Sequence, residues 1–152
     1  MSARFIDSAT VQENHDRFIR RAIEHESVWT VRGDSGPLLV ESEPDEIESG
    51  GEEADPRDVY LFFSDEAYAK RALAQSWPEH PESSARLIPL FEFLYRWLPG
   101  LQRDGHLVGT NWTGDLIGRE VEPAELQAQL HAQLPDHIAT RYRQAMDAAK
   151  QR

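Results

Sequence analysis

The residues best suited to bind a metal or move a proton near neutral pH are six histidines, His15, His25, His80, His106, His131 and His137. No two stand four apart on one helical face, and no His-Glu-x-x-His arrangement places two imidazoles on one ion. The carboxylates of Glu41 to Asp58 lack the Asp-x-Asp-x-Asp-Gly loop and the closing Glu of an EF-hand, so loose cation condensation is expected there. Cysteine is absent, which removes disulfides, thiolate zinc sites and a cysteine nucleophile. No Gly-x-Ser-x-Gly elbow or dinucleotide fingerprint occurs. Gly109 to Gly114 has the spacing of a phosphate-binding loop, but Asp115 stands where Lys would meet the phosphate. The sequence thus assigns no catalytic residue, no metal and no cofactor.

Other polar residues have local explanations. Ser64 precedes Asp65 and Glu66, a hydroxyl and two carboxylates that suit the first turn of a helix. Asp104 with Gly105 suits a turn. Arg17, Arg20 and Arg21 read as a solvated helix face, because Glu13 and Glu24 stand at pairing distance along it. Of the four tryptophans, Trp97 falls on a core stripe, whereas Trp77 at a helix end and Trp112, after Asn111 near a turn, are candidate contacts for a ligand or partner.

Charge is the strongest compositional feature. The 152 residues carry 27 acids and 16 bases, a net of -11, which argues against nucleic acid and anionic lipid as partners. Residues 41–58 hold nine acids against Arg57 alone, a net of -8; the rest of the chain totals only -3. Ile47 and Ala54 are too few apolar residues to offset chain entropy, so this segment is expected to be a mobile acidic loop. Glu46, Glu48, Glu52 and Glu53 within it are candidate contacts for a basic protein. Signal-like and membrane-spanning runs are absent, and the expected location is the cytoplasm.

Elements that position these residues follow from periodicity. Thr10 to Glu26 spaces Val11, Phe18, Ile19, Ala22 and Ile23 as an amphipathic helix. Val28–Val31 and Pro37–Val40 suggest a hairpin about Gly33–Gly36, and Val59–Phe63 a strand covered on both faces. A helix runs from Asp65 until Pro78, and Arg86–Ile88 is a strand. Leu90, Leu94, Trp97, Leu98 and Leu101 form a helix interrupted at Pro99–Gly100, with a break or a 3₁₀ continuation expected before Asp104–Gly105. His106–Trp112 is a strand, with a short one at 119–121. Pro123 opens a helix, and residues 136–150 form the last. The mixture lacks strict βαβ alternation and predicts one α+β domain over 1–152, with a small, mainly antiparallel sheet packed with helices.

The ordered blocks Phe18-Ile-Arg-Arg-Ala22, Val28-Trp29, Ser64-Asp-Glu-Ala-Tyr-Ala69, Ile88-Pro-Leu90, Trp97-Leu-Pro-Gly-Leu101 and Leu107-Val-Gly109 resemble the bacterial family of unknown function DUF2750 over about residues 18–134. The resemblance implies an α+β fold and carries no activity, cofactor or site residue. Three departures stand out: a longer acidic connection, Phe63 where Trp is expected, and Phe91 where a capping Asp is expected. Together these observations predict a non-enzymatic binding module, immunity-like in one form, that uses the acidic loop and an aromatic surface. The alternative is a small enzyme using carboxylates and His106 in a cleft near Trp77 or Trp112.

Overall fold

A computed structural model describes residues 8–42 and 56–150. Among them are seven strands and five helices in an α+β arrangement. In chain order they are α1 (Ser8–His25), β1 (Ser27–Gly33), β2 (Gly36–Pro37), β3 (Leu39–Glu41), β4 (Asp58–Phe63), α2 (Glu66–Ser76) and β5 (Ser84–Pro89). Then follow α3 (Leu90–Glu92, continued by Phe93–Trp97 and Leu98–Arg103), β6 (Leu107–Thr110), β7 (Glu120–Val121), α4 (Pro123–Gln133) and α5 (Asp136–Lys150). No described helix is long and apolar enough to cross a membrane.

The sheet is mainly antiparallel, with one parallel pair, β4 beside β6. β1 pairs along its length with β5 on one edge, from Ser27↔Pro89 to Arg32↔Ser84. On its other edge it meets β4 only at Trp29↔Phe63 and Thr30↔Phe62. Beyond that point β1 and β4 diverge, and the chain from Gly36 to Glu41 fills the wedge. β2 pairs with β1, and β3 with β4. The expected hairpin is therefore real but its return arm changes partners, because one strand cannot stay in register with two that splay apart.

Period-two alternation in β4 feeds two cores. Val59, Leu61 and Phe63 face α2, with Ala69, Ala72, Leu73 and Trp112. Phe62 faces the opposite layer, where Phe18 and Ile19 of α1, Phe93 and Leu94 of α3, Leu126 and Leu130 of α4 and Tyr142 of α5 gather. A strand buried on both faces explains the continuous apolar run. Phe63, where Trp was expected, is fully buried.

Two local expectations are corrected. The helix from Leu90 neither breaks at Pro99–Gly100 nor continues as 3₁₀. It widens first into a π turn, with the Leu98 N–H bonded to the Phe93 carbonyl, and then continues to Arg103. Proline lacks a donor and its ring crowds the carbonyl four residues back, so a wide turn just ahead of it removes the conflict. At the start of α2, Asp65 rather than Ser64 occupies the N-cap position, and no side chain caps the helix. Phe91, in place of a capping Asp, sets its ring 5.0 Å from Tyr95 and 5.3 Å from Tyr142, which docks α5.

Gly109 in β6 lets the Trp112 ring lie against the strand. A Cβ there would stand 2.5 Å from the Trp112 ring and 2.8 Å from Leu61. Gly109→Ala is expected to destabilise the fold by about 1–3 kcal/mol through overpacking, read as a lower midpoint with an unchanged slope in urea unfolding.

Candidate functional site

β4 and β6 end side by side because they run parallel, and their last residues build one polar junction. Asn111, just past β6, takes the left-handed conformation with φ 48°. Its Oδ1 accepts the Ser64 backbone N–H at 2.8 Å, its Nδ2 donates to Ser64 Oγ at 3.0 Å, and its own N–H donates to the Phe62 carbonyl at 3.0 Å. The Ser64 hydroxyl in turn donates to Asp65 Oδ1 at 2.7 Å. Arg21 grips both Asp65 oxygens, at 2.7 and 2.6 Å. This bidentate guanidinium, helped by the Ser64 hydroxyl, holds the Asp65 carboxyl below its usual range. α1, the β4–α2 turn and the end of β6 are thereby locked together.

His15 makes a second tie. It is almost fully buried, with Nε2 2.7 Å from Gln129 Oε1 on α4 and Nδ1 2.7 Å from Thr110 Oγ1. Because Gln129 Oε1 can only accept, Nε2 carries the proton and the neutral ring accepts from Thr110 at Nδ1. Burial pushes the pKa of His15 down from its ordinary 6.5.

Above the junction lies a cleft of about 390 Å³, walled by Asn14 and Arg17 of α1, by Tyr68, Arg71 and Gln75 of α2, and by 111–115. The loop that closes it is tightly built. Thr113 N–H donates to the Ile117 carbonyl, Leu116 N–H returns to the Thr113 carbonyl, and the Trp112 indole N–H donates to the Arg119 carbonyl at 2.8 Å. Leu116 has φ 63°, a second non-glycine residue in the left-handed region within this loop.

The other end of the sheet has a different character. An open groove of about 340 Å³ is lined by Pro37, Tyr60, Arg96, Trp97, Leu101 and Asp104. His106 leans on Tyr60 at 5.1 Å. Glu41 and Asp58 face each other across β3 and β4, and Arg57 is occupied by the Glu122 carboxylate, at 2.6 and 3.1 Å, and by the Gly105 carbonyl. Burial, then the charges of Asp58 and Asp104, push the Tyr60 phenol up.

The sequence candidates fall in three places. Asn111 and Trp112 meet in the cleft, Asn111 with its side chain engaged by Ser64 and Trp112 6% exposed. Trp77 is half-buried at the end of α2, in a separate shallow depression with Lys70, Leu73 and His80. Glu46, Glu48, Glu52 and Glu53 lie outside the described residues. His106 precedes β6 and Trp112 follows it, so the structure does not bring those two together. Sequence reading missed the cleft's α2 wall, although Tyr68, Arg71 and Gln75 recur at i, i+3, i+7 opposite the Ala69, Ala72, Leu73 stripe, a readable polar face. It also took Arg21 for a solvated residue, whereas Arg21 closes the Asp65 pair.

These features define an α+β protein whose helices cover both faces of a mixed sheet, with a polar cleft at the carboxyl ends of its parallel strands. The family model of DUF2750, described as a protein of unknown function, matches residues 15–130, and the chain belongs to this family. The matched span runs from His15 to Leu130 and leaves out α5. No curated protein and no solved structure matches the chain.

Removing the Asn111 side chain strands the buried Ser64 N–H and places Ala at an unfavourable φ. Asn111→Ala is expected to cost about 2–4 kcal/mol in urea unfolding, and Asn111→Gly about 1 kcal/mol less, since glycine keeps the backbone conformation. For His15, whose pKa is lowered on folding, the unfolded chain binds the proton first. Stability therefore falls as pH drops below about 6.5 and stops falling once the folded ring also titrates. Thermal melts between about pH 8 and about pH 5 should show this slope, and His15→Gln should flatten it.

Proposed function

We propose that this protein is a non-enzymatic binding module that captures a basic protein at the acidic, aromatic end of its sheet. Neutralisation of a basic toxin, an immunity-like role, is one form of it. The observation that carries this reading is the Glu41↔Asp58 register beside the Tyr60 and Trp97 groove. The sheet anchors both ends of a segment of net charge -8 next to two half-buried aromatic rings. Like charges directly across a strand pair are destabilising, and a binding role gives that cost a purpose. The only base of the segment, Arg57, is engaged by Glu122. Such a field speeds encounter with cationic surfaces, and aromatic anchors then supply contact area.

The polar groups described also favour binding over acid–base chemistry. The carboxylates with a resolved shift, Asp65, Glu82 and Glu122, are all held below their usual range, whereas a general acid needs the opposite. Ser64 is fully buried, and its hydroxyl is committed to Asp65 and Asn111.

Capture from lysate of the source organism tests the reading, comparing the full chain with a chain lacking residues 42–56 and with the Glu46→Gln, Glu48→Gln, Glu52→Gln, Glu53→Gln chain. The full chain should retain a basic protein in a salt-sensitive manner, and both variants should lose it. Equal recovery by all three, or retention of nothing, would overturn the proposal.

A further inference from the structure

We propose that the cleft between α1, α2 and the loop after β6 binds a small hydrophilic oxyanion, a phosphate- or carboxylate-bearing metabolite held by Arg17 and Arg71. This site lies at the opposite end of the parallel strands from the groove above and does not depend on the protein-binding reading.

Its charge is the first argument. In a chain with a net charge of -11, two guanidiniums converge on one cavity whose described lining holds a single carboxylate, Asp115. Arg71 makes no ion pair with any described residue; its guanidinium lies 5.2 Å from the centre of the Tyr68 ring, a stacked posture that leaves its donor edge open. Arg17 contacts Asn14 Oδ1 at 3.1 Å and Glu13 at a long 3.5 Å, which uses few of its five donors. Arg21, one turn further along α1, shows the contrast, with both Asp65 oxygens taken up. The planar fork of Arg71, without a described carboxylate partner, is matched to an oxyanion supplied from outside, and Arg17, held by Glu13 only at long range, has donors left to join it.

Shape and rigidity are the second argument. A volume of about 390 Å³ suits a metabolite-sized ligand. Asn14, Gln75 and Thr113 offer amide and hydroxyl groups around the two cations, and Asp115 at the rim can accept from a ligand hydroxyl. Ser76 holds the Gly114 carbonyl at 2.6 Å, and a side chain at Gly114 would collide with Gln75, so the loop seats directly on α2. Asn111 and Leu116, both at positive φ, bracket the same loop. Strained backbone held by a closed hydrogen-bond set is the kind of preorganisation found at ligand clamps. The acidity of the remaining surface disfavours a nucleic-acid backbone, which leaves a small molecule as the source of the anion.

Isothermal titration at low ionic strength tests the site with four probes: inorganic phosphate, glucose 6-phosphate, citrate and, as neutral control, glucose. Glucose 6-phosphate or citrate should bind saturably with one site per chain, the preferred probe distinguishing a phosphoryl from a carboxylate ligand, and glucose should not bind. Arg71→Ala, at an exposed position, should weaken binding about tenfold or more while its circular dichroism and melting point match the parent. Arg17→Gln should weaken binding in the same direction. In amide and indole NMR spectra the bound probe should shift Trp112 and residues 113–115. No saturable binding by any anion, equal affinity in Arg71→Ala, or shifts clustered away from the cleft would overturn the assignment; none of these results bears on capture by the acidic end.

Discussion

The contact on which the rest depends is the pair of hydrogen bonds between Asn111 and Ser64. Two parallel strands cannot be joined by a hairpin, so the chain must leave β4, cross through α2, β5 and α3, and return as β6. Where such strands end, their backbone donors lose the ladder and are still buried. The Ser64 N–H is one of these, and a short polar side chain in the left-handed conformation is one of few devices that can reach it from the neighbouring strand. Once Asn111 turns, Trp112 folds back against Gly109 and the loop 113–118 is directed onto α2. The same junction sets Ser64 to face Asp65, and Asp65 to face Arg21, so α1 is registered against the sheet by a chain of four residues.

That junction divides the molecule into two chemically distinct ends. At the carboxyl ends of β4 and β6, cationic side chains from α1 and α2 surround a cleft whose floor is immobilised by the junction itself. At the opposite end, the β3–β4 pair sets Glu41 across from Asp58, near the groove lined by Tyr60 and Trp97. β4 therefore spans the distance between the two ends, buried on both faces so that neither end can shift without disturbing both cores. His106 and Trp112, only six positions apart, lie on different surfaces because β6 runs between them.

Much of the architecture was legible because it is local. The 3.6-residue stripe in α1, the apolar run of β4, the Leu90 to Leu101 stripe and proline at the start of α4 each depend on neighbours in sequence. Three features were not legible, for three physical reasons. The transfer of the β2–β3 arm from β1 to β4 follows from the splay of two strands about thirty residues apart. The π turn answers a steric conflict at Pro99 that has more than one backbone solution, a break and a 3₁₀ continuation among them. The functional junction pairs residues 47 apart, Asn111 with Ser64, and 44 apart, Arg21 with Asp65. Each has a plausible short-range partner, an adjacent turn for Asn111 and Glu24 near Arg21, and local reasoning settles on it. Trp112, after Asn111, was singled out as a ring with an indole donor near a turn that could meet a ligand or partner; what the structure gives the two residues is burial beside a cleft whose open groups come from α1 and α2.

Hydrogen exchange at the single amide of Ser64 tests the central claim most directly. If Asn111 bridges the ends of β4 and β6 as described, that N–H exchanges only on global unfolding, as slowly as Leu61 and Phe62 within the strand, and its protection tracks global stability in low denaturant. Exchange at a rate close to that of a solvated peptide, with the strand amides still protected, would contradict the account.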